Sequence, residues 1–187
     1  MSAAPTRRER VRTATVAEIK EVARRLLVGG GLSAVSLRAI GREVGMTAPA
    51  LYRYFPGLDA LVGALAADLF AELTEAVRAV RDDLAGEPPM VRLTGMARAF
   101  RRWSLAHPRE FALMFGGVLE HCDSSGFAEL FLAELTGFAP DAFLTAWSRV
   151  YGLVALEVFG HVQWATPDPE ALFERELDLL AEVLRPR

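Results

Sequence analysis

The residues best suited to chemistry in this chain lie between Ser36 and Phe55, in the run SLRAIGREVGMTAPALYRYF. Tyr52 and Tyr54 flank Arg53, the small residues Ala48, Pro49 and Ala50 precede them, and no acid occurs between Gly45 and Gly57. Tyrosine hydroxyls suit phosphate oxygens, arginine pairs with phosphate or guanine, and small side chains let a helix approach base edges. That combination points to reading of a double-stranded nucleic acid. Leu37, Ile40 and Val44, at i, i+3 and i+7, predict a short helix with Ser36 as N-cap. Gly45 ends it in a left-handed turn and Met46 pins that turn. Thr47 is placed to cap a second helix, with Pro49 in its first turn and Leu51 and Phe55 facing inward. Two short helices joined in this way form a helix-turn-helix, whose second helix enters the major groove. The expected DNA-facing residues are Ser36, Arg38, Thr47, Ala48, Pro49, Ala50, Tyr52, Arg53 and Tyr54, with Arg12 from the preceding arm.

Around this stretch the sequence resembles the TetR/AcrR family of bacterial transcriptional regulators. The resemblance is carried by GGGLSAVS before the first motif helix, LRAIGREVGM across the turn, APALYRYF on the second helix and PGLDAL opening the next. It runs roughly from Val16 to Leu65. It implies that Thr47, Tyr52 and Tyr54 touch phosphates while Ala48 to Ala50 face bases. One position departs from the family, which often carries a phosphate-binding lysine where this chain has Leu58.

The overall charge of −3 conceals a division. Residues 1–56 carry ten Arg/Lys against four Glu, a balance of +6, whereas residues 57–187 carry a balance of −9. A basic head directs itself to phosphate while an acidic body stays off it. With 187 residues, 52% of them hydrophobic, the chain can fold as a small reader and a larger body. The expected domains are 1–57 for DNA binding, including an arm at 1–12, and 58–187 for effector binding and dimerisation. No stretch approaches the roughly 18 apolar residues of a membrane span, and no signal peptide is evident, so the expected location is the cytoplasm. A single cysteine, Cys122, excludes an intrachain disulfide framework. No metal ligand set and no cofactor are expected.

Periodicity predicts an all-α fold of about nine helices. The arm, rich in arginine and without apolar periodicity, either follows DNA or remains a solvated tail. A first helix starts at Thr13 or Thr15 and carries Ile19, Val22, Leu26 and Leu27 inward until Gly29–Gly31 end it. After the motif, Leu58, Leu61, Val62, Leu65 and Leu69 predict a long helix to about Leu84, read as the lever between the modules. Further helices are expected over about 90–107, from Pro108 through Phe115, over 127–138, from Pro140 to near Thr166, and over 170–184.

The helix from Pro140 is nearly apolar all round between Val150 and Gly160, so one face is expected to meet a partner. Gly152, Ala155 and Gly160 allow close approach, and Val158, His161 and Val162 lie beside them. The last helix offers Phe173, Leu177, Leu180 and Leu184 in one row. Either these rows close a monomeric core, or they form a four-helix interface in a homodimer, the reading preferred here and implied by the resemblance. Met96, Phe100, Trp103, Phe111, Met114, Phe115, Phe127, Trp147 and Tyr151 belong to an aromatic and soft cluster that is either core or pocket. The resemblance implies a pocket for a small, largely apolar effector, with His107, His121 and Glu157 among the polar handles. An arginine such as Arg102 or Arg149 would instead neutralise Glu157.

The expected function is that of a repressor binding a palindromic DNA operator as a dimer and released by its effector. A ligand-independent regulator or activator is the alternative. An enzyme is a remote one, since the three histidines lack metal-site spacing and no nucleophile motif or phosphate-binding glycine loop is present.

Overall fold

The computed structural model describes residues 5–117, 125–136, 138 and 141–184. Among the described residues there are nine α-helices, one short 3-10 turn and no strand, which is the all-α fold expected. The helices are α1 (Arg7–Gly30), α2 (Leu37–Val44), α3 (Ala48–Tyr52), α4 (Leu58–Asp83), α5 (Pro89–Ala106), α6 (Pro108–Phe115), α7 (Ser125–Glu134), α8 (Ala142–Val158) and α9 (Pro169–Val183). They form two compact units, Met1–Leu69 with Ala112–Cys122 and Phe70–Phe111 with Asp123–Arg187.

In the first unit α1 packs on the 3-10 turn Leu32–Ala34 and on α2, and α2 packs on α3. Ile19, Val22 and Leu27 of α1 are buried, as are Val35, Ile40, Leu51, Leu61 and Leu65. Two ion pairs tie α1 to its neighbours, Lys20 to Asp68 of α4 and Arg25 to Glu43 of α2 at 2.8 Å. The arm differs from expectation. α1 begins at Arg7 because Thr6 and Glu9 form a capping box: the Thr6 hydroxyl accepts from the Glu9 N–H, and the Glu9 carboxylate accepts from the Thr6 N–H at 2.6 Å. Residues 7–12 are therefore helix, not tail.

In the second unit α5 packs against α7 and α8, and α8 against α9. Arginines of α5 fasten these layers: Arg92 to Glu134 of α7, Arg101 to Glu157 of α8 and Arg98 to Glu174 of α9. Arg149 of α8 pairs with Glu176 of α9 at 2.7 Å. α8 stops at Val158, short of the expected end near Thr166. There the His161 N–H reaches the Leu156 carbonyl at 2.7 Å, the Gly160 N–H reaches Glu157, and Gly160 takes φ 75°. This double closure around a left-handed glycine is a Schellman stop. Gly160 therefore ends the helix.

Candidate functional site

The reader is built on α2 and α3. The Ser36 hydroxyl accepts the Ala39 N–H at 3.1 Å, so α2 starts where the sequence places its cap. At its other end Gly45 is left-handed, φ 68° and ψ 27°, and the Met46 N–H returns to the Gly41 carbonyl at 2.8 Å. Sequence reasoning missed Gly41. A Cβ there would stand 2.7 Å from the Met46 carbonyl oxygen and 3.2 Å from Leu51, so only glycine lets the turn close over α2 and bring α3 against it. The available signal was a glycine inside a helical pattern, which is costly unless close packing requires it.

Thr47 occupies the N-cap position of α3, yet its side chain makes no capping hydrogen bond; its carbonyl accepts from Ala50 and Leu51. The residue is exposed beside Ala48 and Pro49. Leu51 is fully buried and Phe55 nearly so, while Tyr52 is 54% exposed. Arg38 and Arg53 are exposed, and Ser36, Ala50 and Tyr54 are half-buried. The small residues and the Tyr-Arg pair thus share the outer surface of a short helix anchored by one leucine.

Arg12, on α1, places its guanidinium 5.4 Å from the centre of the Tyr54 ring. Arg7, Arg8, Val11 and Arg12 line an open hollow with Arg53 and Tyr54. Arg7 and Arg8 were not among the expected DNA-facing residues. The T-x-x-E signature at Thr6–Glu9 was the signal that would have placed them on a helix.

In the second unit the expected effector residues form a packed stack. Phe143 stacks on Trp147, Trp147 on Tyr151 at 5.5 Å between centroids, and Tyr151 on Phe111 at 6.2 Å. Phe100 and Phe127 meet Trp147 at 5.3 and 5.5 Å. Met96, Phe100, Trp103, Phe111 and Phe127 are buried, and Trp147 and Tyr151 are half-buried. Met114 and Phe115 lie on the part of α6 grouped with the first unit, and His121 lies outside the described residues. His107 stacks on Trp103 at 4.6 Å and its Nδ1 lies 2.9 Å from the Trp103 carbonyl oxygen.

Glu157 is not an open handle. Arg101 binds both its carboxylate oxygens at 2.8 Å, each side chain is only 14% exposed, and the guanidinium lies 5.4 Å from the centre of the Phe173 ring. Arg101, not Arg102 or Arg149, neutralises it. Hydrogen bonding to Glu157 raises the Arg101 pKa and keeps it charged. Nearby, two-point hydrogen bonding to Arg98 holds the Glu174 carboxyl below the usual carboxylate range.

A cavity of about 40 Å³ lies on the α5, α7, α8 and α9 side of Trp147. Leu93, Ala97, Phe131 and Val150 line it, with Thr94 the one residue carrying a side-chain hydroxyl. Of the aromatic cluster, Phe131, Phe143 and Trp147 border it. Leu177, Leu180 and Leu184, expected to meet a partner, line it instead. With Phe173 they are buried in their own chain, as is Val162. α9 spends that row on its own core, leaving Leu179 and Val183 exposed. On α8 Gly152, Ala155 and Val158 are half-buried; His161 beyond it is exposed.

A turn-linked helix pair with an exposed small-residue face, among described residues that form helices and no strand, has the geometry of a helix-turn-helix reader. Residues 19–65 match the family described as bacterial regulatory proteins, tetR family, and residues 93–180 match the tetracyclin repressor-like C-terminal domain. The chain belongs to the TetR family: it is a DNA-binding transcriptional regulator. It is 29% identical to the HTH-type transcriptional regulator Rv1816 of Mycobacterium tuberculosis, with 90% of this chain and 91% of that protein aligned. The crystal structure of SCO4313, described as a putative regulatory protein, superposes with a TM-score of 0.78 at 31% identity, covering 94% of this chain and 98% of that one. A possible TetR family transcriptional regulator from Streptomyces coelicolor A3(2), 22% identical, shares the fold at a TM-score of 0.68 over 89% of this chain and 97% of that one. These names are those of regulators rather than enzymes. No helix among the described residues is long and apolar enough to cross a membrane.

Proposed function

We propose that this regulator is a repressor that binds a palindromic operator as a homodimer and is released by a small, largely apolar effector. The observation that carries the reading is the outer face of α3, where Ala48 and Pro49 stand exposed beside Tyr52 and Arg53 on a helix fixed by buried Leu51. In this reading Ala48 to Ala50 approach base edges, Arg53 reaches phosphate or guanine, and Thr47, Tyr52 and Tyr54 fix the register on the backbone. Two copies related by a two-fold axis present two such helices about 34–36 Å apart, which makes the operator a palindrome.

The partner surface proposed for the second copy is the outer side of α8 and α9, built on Gly152, Ala155, Leu156, Leu179 and Val183. Leu156 on α8 and Leu179 and Val183 on α9 are exposed apolar residues that a partner helix could cover. The effector is proposed to enter beside Trp147. The space of about 40 Å³ there is far below the several hundred Å³ of a ligand pocket, so binding requires the aromatic stack to open. An effector that favours the opened form over the DNA-binding form releases the operator, by the difference in its affinity for the two. The long α4 is the proposed route between effector and reader.

The test is fluorescence anisotropy with the DNA immediately upstream of the protein's own gene and with scrambled DNA. Tight, sequence-selective binding that an apolar effector abolishes supports the proposal. Selective binding that no member of an apolar compound collection alters favours the ligand-independent regulator.

A further inference from the structure

The basic N-terminal turns of α1 are capped helix where the sequence suggests a tail. At 3.6 residues per turn, Arg7, Arg8, Val11 and Arg12 share one face, while Glu9 and Arg10 point about a third of a turn from its centre, on either side. Glu9 is the single acid among the first seventeen residues, and the capping box binds its carboxylate to the Thr6 N–H. That bond favours the ionised carboxylate at the helix start, where the helix dipole welcomes an acid. The arginine face borders the open hollow whose other wall is Arg53 and Tyr54 of the reader. Among the described residues no acid lines that hollow. Arg12 is already seated over the Tyr54 ring, which orients the planar guanidinium before any DNA arrives.

We propose that the first two turns of α1 and the end of α3 form a preformed clamp for the phosphodiester backbone of duplex DNA. Arg7, Arg8 and Arg12 supply the charge, and Tyr54 holds Arg12 in position. The clamp rests on the reading of α3 as the DNA-facing helix and extends its footprint along the backbone, away from the bases. It adds affinity without adding sequence preference, because phosphates carry no base information. It also gives this chain cationic backbone contacts although Leu58 offers none.

Two variants test it, each measured by anisotropy on operator and on scrambled DNA across a salt series, with helicity checked by circular dichroism. Arg7→Ala combined with Arg8→Ala is expected to make the slope of log affinity against log salt shallower by roughly two, at about 0.9 per lost phosphate contact. Affinity falls by the same factor on both DNAs. Thr6→Ala leaves the charge unchanged but loosens the first turns, and is expected to weaken binding severalfold on both DNAs. An unchanged slope in the double variant overturns the clamp while wild-type selectivity preserves the reading of α3. An unaffected Thr6→Ala overturns its preformed character, since a flexible tail would not need the cap. Wild-type protein that binds both DNAs equally and weakly would contradict the reading of α3 itself, and the clamp with it.

Discussion

At the residue scale, the reader depends on what each side chain is not doing for the fold. Tyr52 and Arg53 are exposed and hold no core position, so Arg53→Ala is expected to weaken operator binding by about 1–3 kcal/mol, up to roughly a hundredfold, with the helical content unchanged. Anisotropy and circular dichroism check both halves; a loss of helicity would mean that the exposed face is wrongly assigned. Gly41 has the opposite profile: it is buried where α2 meets the turn and α3. Gly41→Ala is expected to destabilise the protein by about 1–3 kcal/mol, as overpacking does, because the Met46 carbonyl at 2.7 Å is backbone and cannot swing aside. A melting temperature equal to the wild type would show that the turn tolerates the methyl group. The sequence made Ser36, Gly45 and Leu51 legible, since caps and periodicity are local signals. It hid Gly41, because the atom that forbids a side chain there comes from across the turn.

At the element scale, local signals again succeeded at the starts and ends of most helices and failed where a stop or cap was read too coarsely. The Ser36 cap, which accepts the Ala39 N–H at 3.1 Å, was visible ahead of α2. The Schellman stop at Gly160 was not, because the same glycine also suits close helix packing. Likewise the row Phe173, Leu177, Leu180 and Leu184 has the periodicity of a buried face, but periodicity does not state whose core it joins. The α5 arginines illustrate a further limit: Arg101 and Glu157 are 56 residues apart in sequence, and no spacing rule pairs them. Arg101→Met is expected to cost about 3–5 kcal/mol, since it strands a mostly buried carboxylate, whereas Arg101→Met with Glu157→Leu should recover most of that loss. Equal stability of the single and double variants would show that the pair is solvated in practice. The pair between Arg98 and Glu174 is more exposed and carries a pH signature. Because the folded Glu174 pKa is depressed, its contribution is present above the ordinary glutamate pKa near 4.3 and is lost as pH falls through the lower folded value. The stability difference between wild type and Glu174→Gln should therefore shrink on acidification below about pH 4, measured by denaturant titration at several pH values.

At the scale of the whole molecule, the division of charge was the most informative global property of the sequence. A basic 1–56 and an acidic remainder placed DNA at one end before any helix was drawn, whereas the total of −3 argues for nothing. The effector site was the least legible part, because an aromatic cluster has the same composition whether it encloses a ligand or packs solid. The stack around Trp147 is closed apart from a small neighbouring cavity, so Trp147→Ala is expected to alter the response to an effector more than affinity for DNA. An unchanged response in that variant would move the site elsewhere. The central claim concerns α3 and its two-fold repetition, and selection of bound sequences from a pool of random duplexes tests it most directly. The account predicts enrichment of a palindrome whose half-sites lie about 10 base pairs apart or at a multiple of that spacing, lost when Arg53 is replaced by alanine. Enrichment of no sequence, or of an asymmetric site insensitive to Arg53, would contradict it.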